Sequence, residues 1–447
     1  MKKVLIISPH FPPVNAPDMQ RVRMSLPFYK AMGWEPVVLC VAADYVSGFM
    51  DELLSETVPD DIEVHKTKAW PEKLTRKFGM GNLSLRAYYH LKKKGTELLQ
   101  AHQFDLVFFS TSQFYICTLG PHWKKKFGIP FIIDMQDPWR NDFYLHQHSS
   151  KRPAKFRLMY ALDKQLEAST MPFANGIISV SQAYIDTLQQ RYHQLKYKPT
   201  LLLPFGTSSQ DFDLVYQKNI SPRINKKNKK EISVVYVGVL NKFFMPLIKA
   251  FFTAFSLSIT NKDDYHFYFV GTNYYDGIDE KPVEHLAGEF DMSHLVTEIP
   301  NRVPYFSALA TLLYADVLFI PGSTDAGYNA SKIYNNIQSG KPIFSIFNEK
   351  SYVKKAIDEN NAGIFVGVHE NDDAATMADK VIKAMPAFKE LHLKVIDSNQ
   401  AMLQDYMAEA MVEKQVAFFD RIVSKSYRLK AAVLSLAFVF RLTECLV

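Results

Sequence analysis

Asn329-Ala330-Ser331-Lys332-Ile333-Tyr334-Asn335-Asn336-Ile337-Gln338-Ser339-Gly340-Lys341-Pro342 is the stretch whose reading decides the fold. It follows an apolar run, Ala315-Asp316-Val317-Leu318-Phe319-Ile320-Pro321-Gly322-Ser323, and leads into another, Pro342 to Phe347. The pattern predicts strand, loop, helix and strand. Asn329 or Ser331 is suited to cap the helix, and Gly340 to take the left-handed conformation that ends it. A helix that starts at the carboxyl end of a parallel strand presents free N–H groups and the positive end of its dipole. An anion such as a diphosphate fits there. Lys332 in the first turn opposes the dipole unless an anion lies beside it. The same run also fits an ordinary βαβ unit with a surface lysine.

Outward from this run, strands and helices alternate along the chain. Lys3 to Ser8 reads as a buried strand, His10 to Asp18 as a Pro-rich loop, and Asp18 as the cap of a helix carrying Val22, Leu26 and Tyr29. Pro27 is expected to kink that helix. Further strands are predicted at Trp34 to Val41, Leu106 to Ser110, Pro130 to Ile133 and Gly176 to Val180. After the polar, basic segment 216–230 the alternation restarts, with strands at Ile232 to Val237, Tyr265 to Val270, Val317 to Ile320, Pro342 to Phe347 and Gly363 to Val366. This order predicts an α/β protein with two doubly wound, Rossmann-like domains, 1–215 and 231–396, joined by the basic linker and binding ligand in the interdomain cleft. A helix over 397–423 is expected to return to the first domain, followed by a basic and apolar tail, 424–447.

The chain has 447 residues and a net charge of +6, with 47% hydrophobic and 22% charged residues. That length accommodates two or three domains with cores of their own. Its three cysteines, Cys40, Cys117 and Cys445, are far apart, which excludes a disulfide framework and metal-ligand spacing. The first residues give only five or six apolar positions before His10 and three prolines, so they read as a strand and not a signal peptide. No segment reaches the roughly 18–20 apolar residues of a spanning helix. The expected location is the cytoplasm, with the inner face of the cytoplasmic membrane as a second possibility. Lysines and arginines cluster at 92–94, 124–126, 151–157 and 226–230, several beside Trp or Tyr. Such a mixture suits an anionic membrane surface or an anionic substrate, and equally solvated helix faces. No nucleic-acid module is visible, and no nucleic-acid partner is expected. The first loop lacks Gly-x-Gly-x-x-Gly, which argues against a nicotinamide enzyme.

Four pieces, in order, resemble the GT-B glycosyltransferases of the group called glycosyl transferases group 1, or family 4. They are Phe11-Pro12-Pro13 with Arg21, Asp134-Met135-Gln136-Asp137-Pro138-Trp139, Ile178-Ser179-Val180-Ser181, and the run around Lys332. The resemblance spans most of residues 1–400. It implies transfer of a sugar from a nucleotide-sugar donor to an acceptor hydroxyl, with the donor on the second domain and a sugar or lipid-linked acceptor on the first. It implies a hexosyltransferase-type enzyme, retaining and independent of metal, with no cofactor, since the nucleotide-sugar is a substrate.

By the same resemblance, Lys332 lies at the donor phosphates, with Ala330 and Ser331 offering backbone N–H groups. Gly238 and Lys242 belong to the first loop of the donor domain, and Asn335 lies at the donor ribose. Asp134 and Asp137 take the catalytic positions, binding hydroxyls or accepting a proton. His10, Asp18 and Trp139 face the acceptor. Two departures stand out. Asn335 occupies a place generally held by a carboxylate, and Gly327 falls on the family's other glutamate position, so the paired glutamates are missing. An amide can still bond a ribose hydroxyl, without charge assistance. The resulting expectation is a glycosyltransferase of surface polysaccharide, lipopolysaccharide or glycolipid synthesis. The alternatives are a degenerate sugar-binding or partner subunit and a nucleotide-sugar epimerase.

Overall fold

The computed structural model describes residues 1–78, 81–140, 142, 145, 152, 156–273, 277, 279–326, 328, 330, 332–396 and 401–444. Lys151 and Lys155 of the basic clusters, and Cys445, lie outside them. The chain divides into two units, residues 1–204 with 411–447, and residues 205–410.

The first unit holds a seven-stranded sheet: β1 (Lys2–Ile7), β2 (Trp34–Val41), β3 (Glu63–Thr67), β4 (Leu106–Ser110), β5 (Phe131–Met135), β6 (Gly176–Ser179) and β7 (Thr200–Leu202), in the order β3-β2-β1-β4-β5-β6-β7. Every pairing is parallel, with Ile7 opposite Leu39 on one side and Phe109 on the other. The second unit repeats the plan with six strands: β8 (Ile232–Val237), β9 (Tyr265–Val270), β10 (Val296–Ile299), β11 (Val317–Pro321), β12 (Ile343–Asn348) and β13 (Gly363–Val368), ordered β10-β9-β8-β11-β12-β13. In both sheets the chain order reverses between the first and fourth strands. Parallel sheets of this kind bind ligands in the crevice at the carboxyl ends of the strands beside that reversal.

The central strands match the predicted ones to within two residues. β3, β7 and β10 were not anticipated, and all three lie at sheet edges. Edge strands carry charge and lack the unbroken apolar run of a strand covered on both sides. Glu63, His65 and Lys66 interrupt β3, and Glu298 interrupts β10. Glu298 is nevertheless buried, because its carboxylate accepts from the N–H groups of Val283 (2.8 Å) and Glu284 (3.2 Å) at the start of the helix Pro282–Gly288.

Two readings at the domain boundary need correction. The division falls at 204/205, not 215/216. Residues 209–217 form a helix that packs on the helix Tyr305–Tyr314, and Tyr305 donates to Asp211 at 2.9 Å. Nor is 216–230 a bare linker. Lys226 pairs with Asp316 at 2.5 Å, and the Asn225 carbonyl accepts from Tyr268 at 2.8 Å, fastening the segment to the second unit.

The last helix, Ala408–Glu444, joins the first unit from Met411 onward. Phe419 is fully buried against Tyr29, Trp34 and Phe108, with ring centroids 6.2, 5.4 and 5.1 Å away. Each such aromatic pair adds about 0.5–1.5 kcal/mol beyond burial. Lys2 and the Trp34 indole both bond Asp420, at 2.6 and 3.0 Å. A phenylalanine-rich core, centred on Phe251, fills the second unit beneath its own sheet.

Candidate active site

In the first unit the loops after β1, β4 and β5 meet at the strand-order reversal. Asp18 was expected to cap a helix, but the helix Gln20–Tyr29 begins after Met19 with no side-chain cap. The Asp18 carboxylate is buried and bonds His10 Nδ1 at 2.8 Å through one oxygen. Its other oxygen accepts from Thr111 (3.0 Å), the Ser112 amide (3.1 Å) and the Ser112 hydroxyl (3.1 Å). Burial alone favours a neutral pair. The mutual charge attraction and these hydrogen bonds outweigh it, raising the His10 pKa and lowering that of Asp18. The pair is an ionised clamp that ties the first loop to the β4 loop.

Asp134 lies at the end of β5 and is fully buried. Arg21 Nε (2.7 Å), Ser110 Oγ (2.9 Å) and Gln136 Nε2 (2.8 Å) all donate to its Oδ2. Arg21 also donates to the Leu203 carbonyl at 2.6 Å. Asp134 is therefore enclosed, which does not fit the expected catalytic role and fits one of holding its neighbours in place. Gln136 ties this group together: its amide donates to Asp134, Ser110 Oγ and the Asp18 carbonyl. Trp139 needs a similar correction. It is buried, stacked on Phe114 at 5.6 Å and edge-on to Tyr115 at 6.5 Å, so it is core and not a sugar platform.

Asp137 is the carboxylate of this group that reaches solvent. Crowding of its carboxyl by protein atoms, and second the negative charge of Asp18, push its pKa up to about 6. Because the side chain remains exposed, solvent moderates both effects. A carboxylate poised near neutrality suits acceptance of a proton or of a hydroxyl hydrogen bond.

In the second unit, Gly238 ends β8 and Lys332 follows β11, again flanking the reversal. The structure brings them together. Gly238 has φ 153°, and a Cβ there would lie 3.0 Å from the Lys332 ammonium and 3.2 Å from the Tyr236 hydroxyl. The positive φ favours glycine at this position, and the approach of the lysine leaves little room for a side chain. Lys332 as a residue is exposed, but its ammonium is turned inward among protein atoms. That burial, with the Arg302 charge second, drops its pKa to about 8. Among the described residues its ammonium has no hydrogen-bond or carboxylate partner. A lysine ammonium that has no anionic partner among the described residues, and that feels the positive charge of Arg302, marks a place for an anion.

The helix after Lys332 is short, Ile333–Gln338, and closes on Gly340 at φ 69°. Asn335 lies on its first turn with a buried Oδ1 that lacks a partner. Asn336, by contrast, bonds back to the Lys332 carbonyl at 2.8 Å. The Ala330 amide hydrogen-bonds the Tyr352 hydroxyl, so it does not stand free for a phosphate as expected. Lys242 is exposed above the Phe243 ring at 5.4 Å, and no contact places it with Gly238 or Lys332. Ser331, Asn329 and Gly327 lie outside the described residues.

Arg302, Thr111 and Ser112 were missed by the sequence reading. Arg302 follows β10, the unrecognised edge strand; with that strand assigned, it falls on a carboxyl-end loop of the second unit. Thr111 and Ser112 follow β4, a predicted strand, so their position was accessible.

No family sequence model matches the chain, and no curated protein matches it in sequence. Solved structures do match in shape. HepE of Anabaena, in complex with UDP and glucose, superposes with a TM-score of 0.59 at 14% identity over 94% of this chain and 100% of that one. Sucrose-phosphate synthase from Thermosynechococcus elongatus gives 0.56 at 15% identity over 98% and 100%. A UDP-forming α,α-trehalose-phosphate synthase from Burkholderia xenovorans gives 0.60 at 9% identity over 94% and 99%. At these identities the likeness is one of architecture: the chain has the GT-B glycosyltransferase fold, two doubly wound α/β units in tandem.

Proposed function

We propose that this protein transfers a sugar from a nucleotide-sugar donor to an acceptor hydroxyl. The observation that carries the reading is the Lys332 ammonium, packed against the Gly238 backbone at the strand-order reversal of the second sheet, near Arg302 and without a counter-anion. Breaking the bond between the sugar and the diphosphate leaves negative charge on the leaving group. Fixed cations at that point stabilise the transition state. Lys332 and Arg302 supply that charge without a metal. Asn335 Oδ1, buried without a partner, offers an acceptor to a ribose hydroxyl. On the first unit, Asp137 binds the acceptor hydroxyl or takes its proton. UDP is the favoured nucleotide, since HepE was solved with UDP and the Burkholderia synthase is UDP-forming. Retention of configuration, a sugar or lipid-linked acceptor and a place in surface-glycan synthesis at the inner membrane face complete the proposal. Asn335 in place of a carboxylate favours a second reading, a sugar-nucleotide-binding subunit without turnover.

Calorimetric titration with UDP, GDP and dTDP tests donor binding. Binding of UDP is expected; absence of binding by all three at millimolar concentration sinks both readings. Lys332→Ala should weaken UDP binding by ~1–3 kcal/mol, the range for losing a charged hydrogen-bond partner. Unchanged affinity would remove Lys332 from the phosphate site. Turnover of a UDP-sugar with an acceptor separates enzyme from binding subunit.

Affinity for UDP should also depend on pH. The diphosphate is fully ionised near pH 8, whereas Lys332 in the free protein titrates at about 8. Bound anion holds the lysine charged, so its pKa rises in the complex. Affinity should therefore be greatest near pH 7, decline toward acid as the diphosphate takes up a proton near pH 6, and fall by up to about tenfold per pH unit above 8. A profile that stays flat from about pH 7 through pH 9 contradicts the assignment, and Lys332→Ala should abolish the alkaline slope.

A further inference from the structure

At the amino ends of β5, β6 and β7, three lysines from three separate elements converge. Lys124 comes from the helix Leu119–Phe127, Lys198 from the turn before β7, and Lys425 from the final helix. Lys124 donates to the Phe173 carbonyl at 2.9 Å, and none of the three forms an ion pair among the described residues. The strand ends that carry them lie side by side: the Asn175 amide donates to the Phe131 carbonyl at 2.9 Å and the Ile177 amide to the Pro199 carbonyl at 3.1 Å. Burial and then Lys198 lower the Lys124 pKa to about 8, and burial and then Lys425 lower that of Lys198. Beside them, Phe173 is 53% exposed and Tyr197 is 83% exposed. A folded chain gains nothing by gathering unpaired cations and bare aromatic rings on one face, unless something anionic and partly apolar covers them.

We infer that this face, formed by Lys124, Lys198, Lys425, Phe173 and Tyr197, docks the protein on an anionic lipid bilayer. The lysines meet the negative surface, and the two rings enter the headgroup region, where aromatic side chains are favoured. The final helix supports this occupant over a soluble polyanion. Phe418 and Ile422 press on Gly176 at the start of β6, fixing the helix beside the patch, and it continues past Lys425 to Glu444. Its sequence there holds Arg428 and Lys430, then ten residues, 431–440, without charge. Among the described residues no helix is long and apolar enough to cross a membrane. Binding at the surface is the mode this geometry supports. The patch lies at the opposite end of the first sheet from the loops carrying His10 and Asp137, so docking leaves those loops open. The inference stands independently of the sugar-transfer reading.

The test is co-sedimentation of the full chain with vesicles of phosphatidylcholine, alone or mixed with phosphatidylglycerol. Binding is expected to the mixed vesicles, to be weakened by salt, and to be slight on phosphatidylcholine alone. Each lysine contributes about fivefold near an anionic surface, so Lys198→Gln with Lys425→Gln should weaken binding roughly 25-fold. Phe173→Ser with Tyr197→Ser should weaken it as well, and both pairs should keep the wild-type melting temperature closely. Failure to sediment with the mixed vesicles, equal binding to neutral ones, or unchanged binding by both double variants overturns the proposal.

Discussion

Arg21→Ala is expected to destabilise the first unit by about 3–5 kcal/mol, the cost of breaking a buried ion pair from one side. The guanidinium is the cation on Asp134, at 2.7 Å, and both side chains are buried. Its loss leaves a fully enclosed carboxylate with only Ser110 and Gln136 as donors, and one oxygen, Oδ1, already lacks a partner. It also frees the Leu203 carbonyl, which Arg21 binds at 2.6 Å. Urea unfolding followed by circular dichroism measures the loss as a lower midpoint at unchanged slope. Arg21→Ala combined with Asp134→Leu should recover much of it, because the uncompensated charge is then gone. A loss below about 1 kcal/mol for the single variant would mean that the pair is not what holds the β5 end in place. The result bears on function as well. If Asp134 positions the site and does not react, Asp134→Asn should lower stability and activity together, whereas a reacting group would lose activity alone.

Asp134 and Asp137 also show where reading the sequence stops. They stand three positions apart, and the motif marks both equally. Only the sheet distinguishes them: Asp134 is still inside β5 beside Ser110 of β4, and Asp137 is past the strand end. The doubly wound plan was legible because central parallel strands are apolar on both faces. Edge strands, half covered and interrupted by charge, were not. Gly238 and Lys332 were legible as separate loop residues at strand ends, and their contact follows once β8 and β11 are neighbours. Asp18 has the residue type of a cap, and local pattern gives no reason to prefer a partner ninety-four residues away in Ser112. Trp139 likewise needs Phe114 and Tyr115 to be recognised as core. Long-range partners decided these roles, and one sequence does not encode which of its distant loops will meet.

Asp137→Asn is the substitution expected to cost the proposed transfer most, roughly 10²–10⁴-fold in kcat, the usual contribution of a positioned proton acceptor. The carboxyl titrates at about 6 because surrounding protein atoms, and then Asp18, disfavour its charge. A group that must be ionised to accept a proton makes the rate rise as pH rises through its pKa. Wild-type kcat should therefore fall on the acid side of about pH 6, and the residual activity of Asp137→Asn should lack that limb. Stability must move the other way. An acid whose pKa is raised on folding holds more protons in the native than in the unfolded state between its ordinary value, 3.8, and about 6. Its contribution to stability declines as pH rises through that interval. At pH 7 the charged form is a burden to the folded chain, so Asp137→Asn should melt no lower than wild type and slightly higher if the crowding persists. Activity lost with stability kept is the signature of a group retained for chemistry. A variant that loses stability while keeping the acid limb would place the proton acceptor elsewhere, and His10, bonded to Asp18 on the adjoining loop, is the next residue to substitute.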